Sequence, residues 1–231
     1  MNSALQRTEL LIGKDKLEKI KNTHIALFGV GGVGGFVAEA LARCGVQKLT
    51  LIDNDTVNIT NINRQIIALH STIGKYKTEA MAERIKDINP NAEIICINKF
   101  FLPDNSSEFD FSQYDYVIDA IDTVTAKVEL IVKCNLSNTP IISAMGTGNK
   151  LDATKFEITD IHKTTDCPLA RVMRRELRKR DIKKHKVLYS KAPVIKPAPD
   201  ENNNVVTASI SFVPSVAGLL IAGEVINDII K

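Results

Sequence analysis

The chain has 231 residues, 44% of them hydrophobic, enough for one α/β domain with a small appended lobe and too few for two large domains. A net charge of only +3 excludes a surface that binds polyanions as a whole, so any nucleic-acid contact must come from local clustering. The four cysteines, Cys44, Cys96, Cys134 and Cys167, are too scattered to form Cys-x-x-Cys pairs, which argues against structural zinc and for a reducing, cytoplasmic setting.

The first twenty residues lack the apolar core of a secretory signal. Residues 14–22 read as a short amphipathic helix with Leu17 and Ile20 inward. HIALF, 24–28, is a buried strand. Residues 33–44 carry helical spacing, and Gly45 follows as a helix stop. Residues 49–52 form a second strand and 78–88 a helix that Asn89-Pro90 ends. Further strands are expected at 93–97, 114–120 and 140–144, with a helix over 127–134 between the last two. Beyond Gly146 the pattern changes. A strand is expected at 156–158, a basic helix at 168–180, and strands at 187–190 and 207–212. Residues 196–204, KPAPDENNN, read as a mobile loop. The closing helix starts at Pro214; its stretch 213–226 is too short to span a bilayer and contains Glu224, so it reads as a buried helix and no membrane is called for. Strands alternating with helices imply an α/β fold: a Rossmann-like, doubly wound, mostly parallel sheet with a small C-terminal extension. The whole of 1–231 reads as one domain, with a nucleotide-binding core over 1–150. Residues 151–231 then add the basic helix, the loop and a strand–helix extension.

The chemistry concentrates between Phe28 and Gln65. Gly29, Gly31, Gly32, Gly34 and Gly35 lie between a strand and a helix, where glycine permits positive φ and close backbone approach. The helix start offers free N–H groups and a positive dipole end to a phosphate. Asp53, at the end of the second strand, can accept hydrogen bonds from ribose hydroxyls. These features alone would suit any dinucleotide. The block Asn61-Ile62-Asn63-Arg64-Gln65 would not, because a nicotinamide cofactor has no use for it there. Arg64 can grip phosphate oxygens in bidentate fashion and Lys77 can supply a mobile charge. Together they suit a reaction that builds charge on a triphosphate. Asp119 and Asp122 flank a strand's carboxyl end. Either could hold Mg²⁺, and Asp119 could instead cap the following helix; Asp122 is the preferred metal-side residue.

GVGGVGG, LIDNDTV, NINRQ, Lys77 and DAID together resemble the ubiquitin-activating-enzyme-like (ThiF-type) superfamily, whose shared step is ATP-dependent adenylation of a carboxylate. The resemblance implies ATP contacts from Gly31, Gly32 and Gly34, ribose binding by Asp53, and phosphate contacts from Asn61, Arg64 and Lys77. It puts Mg²⁺ beside Asp122. It further implies a homodimer in which an N-terminal arginine, here Arg7, reaches the partner's ATP. RTELLIG, NINRQI, AERIKDINP, YVIDAID and CPLARVMRREL resemble, within that superfamily, the bacterial tRNA threonylcarbamoyladenosine dehydratases. They imply adenylation of the threonyl carboxylate on the position-37 adenosine of tRNA and ring closure with loss of AMP; whether a sulfur-relay protein partner is needed stays open.

The basic run Arg171, Arg174, Arg175, Arg178, Lys179, Arg180, Lys183, Lys184 and Lys186, opposed only by Glu176 and Asp181, suits a phosphate-tracking surface for tRNA; a solvated helix face would look the same. The superfamily often has serine where this chain has Gly35, so that position is given no side-chain role. The dehydratases often have an acid where this chain has Cys167. Thioester-forming activators place their cysteine near there, so Cys167 is the residue that could carry a different mechanism. The alternatives are an adenylyltransferase acting on the C-terminal glycine of a ubiquitin-like sulfur carrier, and a nicotinamide-dependent oxidoreductase or a non-catalytic nucleotide-binding module.

Overall fold

The computed structural model describes residues 3–231. Two short helices, α1 (Gln6–Ile12) and α2 (Lys14–Lys21), precede the sheet. Gly13 turns the chain between them at φ 87°, a left-handed value that favours glycine. The core is built from β1 (His24–Phe28), α3 (Gly34–Cys44), β2 (Lys48–Ile52), α4 (Lys77–Ile88), β3 (Glu93–Ile97), β4 (Tyr116–Asp119), α5 (Val124–Leu136) and β5 (Ile141–Ala144). Then come β6 (Phe156–Asp160), α6 (Pro168–Arg178), β7 (Lys186–Ser190) and α7 (Phe212–Ile230).

The seven strands form one sheet in the order β3-β2-β1-β4-β5-β7-β6, parallel except for β6 against β7. The Rossmann-like expectation therefore holds. All five residues of β1 are buried, as a central parallel strand covered on both faces requires. Residues 151–231 do not stand apart from the core: β7 pairs with β5, and α7 packs along α3. Gly218 makes that packing possible, since a Cβ there would lie 2.8 Å from Phe36 Cβ and closer still to the Val33 carbonyl. α7 has the length and hydropathy of a membrane span. Its inner face, Val213, Ala217, Ile221 and Val225, is nevertheless buried against the protein, and its Glu224 and Asp228 both accept from Lys186 Nζ, at 2.6 and 2.5 Å.

Three expectations need correction. α1 is an additional helix. α7 starts at Phe212 and runs to Ile230, further in both directions than the apolar stretch suggested. The strand expected at 207–212 is absent: residues 205–210 are irregular and none pairs in the sheet. Their alternation of Thr, Ala, Ser and Ile meets no strand partner; instead Asn149 bonds both backbone groups of Ala208, and Asn63 donates to the Ser209 carbonyl.

Candidate active site

β1 pairs with β2 on one side and β4 on the other, so successive crossovers leave the sheet in opposite directions there. Ligands in open α/β sheets bind in the crevice that this reversal opens at the strands' carboxyl ends. Gly29, at φ 90°, closes the floor, and a Cβ on it would come within 2.6 Å of the Ala120 carbonyl at the end of β4. Gly34, the first residue of α3, packs so tightly on the Gly29 carbonyl that no side chain fits. A cavity of about 510 Å³ opens above them.

Nine of the ten nucleotide-site residues expected from sequence line this cavity: Gly29, Gly31, Gly32, Asp53, Asn61, Arg64, Gln65, Lys77 and Asp122. Gly34 shapes the turn from beneath. Asp53 accepts from Val30 N at 2.7 Å and Asp55 N at 2.9 Å, which locks its carboxylate across the ends of β1 and β2. Asn61 accepts from Asn58 N at 3.0 Å in a capping box that fixes the whole Asn61–Gln65 turn. Arg64 spends Nη1 on the Thr60 carbonyl (3.0 Å) and Asn63 Oδ1 (2.8 Å), leaving Nε and Nη2 without protein partners among the described residues. Gln65 Oε1 is buried without a hydrogen-bond partner. A buried amide oxygen in that state costs free energy unless a ligand donor satisfies it.

Lys77 is the first residue of α4, buried, with Nζ 2.6 Å from Asp55 Oδ2, and its own N–H donates to the Asp55 carbonyl. Asp55 thus holds Lys77 at two points, a role not assigned from sequence; the signal was the second acid of Ile52-Asp53-Asn54-Asp55. Lys99, Phe100 and Phe101 also line the cavity beyond Asp53 and were not anticipated. Nothing in their local pattern distinguishes them from a strand exit.

Asp119 and Asp122 differ sharply in their surroundings. Asp119 is wholly buried, and its Oδ1 accepts from Lys127 Nζ (2.9 Å) and Ile121 N (3.1 Å). Lys127 Nζ also donates to the Ile121 carbonyl at 2.9 Å. The pair clamps the Ile121 peptide on both sides, so Asp119 does not cap α5; Thr123 occupies that position. Asp122 is exposed and faces the cavity. One carboxylate is what Mg²⁺ needs when phosphates supply further oxygens. Among the described residues no cluster of three metal-ligating side chains exists that would instead form an all-protein cage.

Cys167 is 3% exposed, and its Sγ accepts from Ala170 N at 3.5 Å as the N-cap of α6. A thiol in that position lacks the access a thioester nucleophile needs. α6 begins at the site, since Leu169 in its first turn lines the cavity, and its cationic face leads away. Its charges are not equivalent. Arg174 donates Nη1 to both oxygens of Thr164 and is half-buried, while Arg175, Lys179 and Arg180 share Glu176. Lys186 serves Glu224 and Asp228. Arg171 and Arg178 are exposed with no salt bridge among the described residues. Arg7, on exposed α1, does not line the cavity of its own chain.

The ThiF family profile matches residues 5–231. The chain is 44% identical over 238 residues to the tRNA threonylcarbamoyladenosine dehydratase of Bacillus subtilis, covering 97% of this chain and 94% of that protein. It is similar to the crystal structure of the E. coli tRNA N6-threonylcarbamoyladenosine dehydratase TcdA in complex with ATP, with a TM-score of 0.90 and 34% identity over 98% of this chain and 93% of that one. The E. coli molybdopterin-synthase adenylyltransferase is 30% identical over a shorter stretch, 63% of this chain and 58% of that protein.

Proposed function

The chain belongs to the ThiF family, and we propose that it is an ATP-dependent tRNA threonylcarbamoyladenosine dehydratase. The observation that carries the reading is the convergence of Arg64, Lys77, Gln65 and Asp122 on one cavity above a glycine-rich helix start. That set suits an α-phosphate under attack better than a dinucleotide at rest. The near full-length likeness to a dehydratase selects the substrate.

The threonyl carboxylate attacks the α-phosphate of ATP and pyrophosphate leaves. The threonylcarbamoyl group then closes on its own activated carbonyl and expels AMP. The oxygen lost by the substrate departs on AMP and a proton is released, so the net change in the nucleoside is loss of water. A carboxylate oxygen cannot leave at neutral pH, whereas adenylate can. The α3 N-terminus and glycine amides receive phosphate oxygens, and Asp53 accepts from ribose hydroxyls. Arg64 and Lys77 neutralise charge that grows as the α-phosphate is attacked. The fixed orientation of Lys77 by Asp55 means that no reorganisation is needed at that moment. Asp122 would hold Mg²⁺, which supplies charge neutralisation on the departing pyrophosphate.

The cationic face of α6 receives tRNA phosphates on the way into the site; an eleven-residue helix is roughly 16 Å long, a reach of several nucleotides. We assign the catalytic unit as a homodimer in which Arg7 enters the partner's cavity. Leu10 and Leu11 on the same helix are 80% and 85% exposed, an apolar pair that a second copy would cover. The adenylyltransferase reading is less well supported, because the likeness to such an enzyme covers 63% of this chain at 30% identity, against 97% at 44% for the dehydratase. The test is pyrophosphate release from ATP·Mg²⁺ with either threonylcarbamoyl-modified tRNA or a sulfur-carrier protein. Stimulation by the tRNA alone is expected; stimulation by the carrier alone overturns the assignment.

A further inference from the structure

The cavity has two chemically different halves. The half over β1, β2 and β3 carries Asp53, Asp55 and Lys99 with the glycine turn, and it is where the nucleotide belongs. The other half, at the end of β5 and beside residues 207–209, is lined by Met145, Thr147, Gly148, Leu169, Thr207 and Ser209, none of them ionisable. Its polar atoms are hydroxyls and backbone groups.

A strap of irregular chain, residues 205–210, lies across this second half. It is stapled on both sides. Asn149 N donates to the Ala208 carbonyl (2.8 Å) and Asn149 Oδ1 accepts from Ala208 N (2.7 Å), a two-bond clasp. The Asn149 carbonyl accepts from Ile195 N (2.8 Å), tying in the loop that leads to the strap. Asn149 makes all three bonds from φ 58°, a left-handed conformation that asparagine tolerates better than most residues. On the other side, Asn63 Nδ2 donates to the Ser209 carbonyl (3.1 Å), while Asn63 Oδ1 accepts from Arg64. The strap is therefore joined through one side chain to the arginine assigned to the phosphates. The adjoining Lys150 is buried, with Nζ bonded to the Ser190 and Ala192 carbonyls, which anchors the loop beneath.

We infer that the space between Met145–Gly148 and the Thr207–Ser209 strap is the acceptor subsite, which holds the threonylcarbamoyl group of the modified adenosine, and that Asn149 is the residue positioning its roof. This rests on the proposed dehydratase activity. A neutral wall rich in hydroxyls suits a ligand bearing a hydroxyl and a urea-like carbamoyl. None of these six residues is acidic, so none repels the ligand's single carboxylate as it turns toward the phosphate side. Thr147, Thr207 and Ser209 supply hydrogen bonds that a substrate lacking the hydroxyl would leave unmade, so this half sets specificity.

Gly148 provides the test. Its backbone is not left-handed, so alanine suits it, but the new methyl would overlap Thr207 Cγ2 and push the strap outward. Gly148→Ala should raise KM for threonylcarbamoyl-modified tRNA by roughly tenfold, while the Kd for ATP, measured without tRNA, stays within about twofold. Adding Thr207→Ser, which removes the clashing methyl and keeps the hydroxyl, should return KM to near the wild-type value. Asn149→Ala should show the same KM defect, and Asn149→Gly a similar one, because backbone tolerance cannot replace the Oδ1 clasp. The inference falls if wild-type protein cyclises the modified tRNA and Gly148→Ala, with an unchanged melting temperature, keeps the wild-type KM. It also falls if Gly148→Ala impairs ATP and tRNA equally or if Thr207→Ser fails to rescue. If wild-type protein does not cyclise the tRNA at all, the dehydratase assignment fails instead.

Discussion

Taken alone in the sequence Lys77 would pass for one more helix lysine, yet it is 6% exposed and held by Asp55 from both its backbone and its side chain. What could be read was its company: the glycines, Asp53 and NINRQ mark a nucleotide, and a following cation completes the set. What could not be read was a partner found only in space, as with Lys127 and Asp119, which are eight residues apart and bonded beneath the site. Replacing Arg64 or Lys77 by alanine should lower turnover roughly 10²–10³-fold, the loss seen when one transition-state donor is removed, with the melting temperature little changed for Arg64. Equal turnover in a steady-state assay would remove either residue from the proposed role. Lys127→Met leaves the Asp119 carboxylate buried and unpaired and should cost about 3–5 kcal/mol in denaturant unfolding. His185 supplies a pH prediction. Burial, reinforced by the nearby Lys127 charge, pushes its pKa from 6.5 down to about 3, and its ring bonds Ser143 Oγ at 2.8 Å. The unfolded chain therefore takes up a proton below pH 6.5 that the folded chain refuses until about pH 3. The stabilisation is complete above pH 6.5 and is lost as pH falls, at about 1.4 kcal/mol per pH unit. His185→Gln should flatten that part of the acid limb in urea melts between pH 6.5 and 4; an unchanged slope would show that His185 does not set it.

Elements buried on both faces were the easiest to read, because β1, β2, β4 and β5 are short, largely apolar runs bounded by turn residues, and the helices between the strands carry a 3.6-residue period. The strand expected at 207–212 failed for the opposite reason. A period of two says only that a segment could be a strand, and whether an edge is available is a property of the whole sheet. Here β6 closes the edge antiparallel to β7, and the chain instead crosses the cavity. In α6 the density of charge was legible, but its division was not: Glu176 and Thr164 occupy several cations that the sequence counts as equal. Replacing Arg171 and Arg178 by glutamate should weaken tRNA binding and reduce the slope of log affinity against log salt by about 0.7–0.9 for each lost phosphate contact. An unchanged salt slope returns α6 to an ordinary solvated face. At the α3–α7 contact, Gly218→Ala should cost about 1–3 kcal/mol, since two packed backbones must separate. A variant as stable as the parent would mean that the helices adjust freely.

For the whole molecule, β6 and β7 extend the sheet that carries the nucleotide-binding elements, and residues 207–209 reach its cavity, so 151–231 is less an appendage than a part of the same unit. Arg7 lies outside its own chain's cavity, so the role proposed for it requires the proposed homodimer. Mixing Arg7→Ala protein with Arg64→Ala protein should restore part of the activity, because a mixed dimer contains one intact composite site. If mixtures stay as inactive as the two parents, Arg7 does not act across subunits. The central claim is that this cavity activates the carboxylate of threonylcarbamoyladenosine in tRNA. The most direct measurement is mass spectrometry of nucleosides from modified tRNA incubated with the protein and ATP·Mg²⁺, with AMP counted in parallel. The nucleoside should lose one water, matched one for one by AMP. Unaltered threonylcarbamoyladenosine, with AMP formed only when a carrier protein with a C-terminal glycine is added, would contradict it.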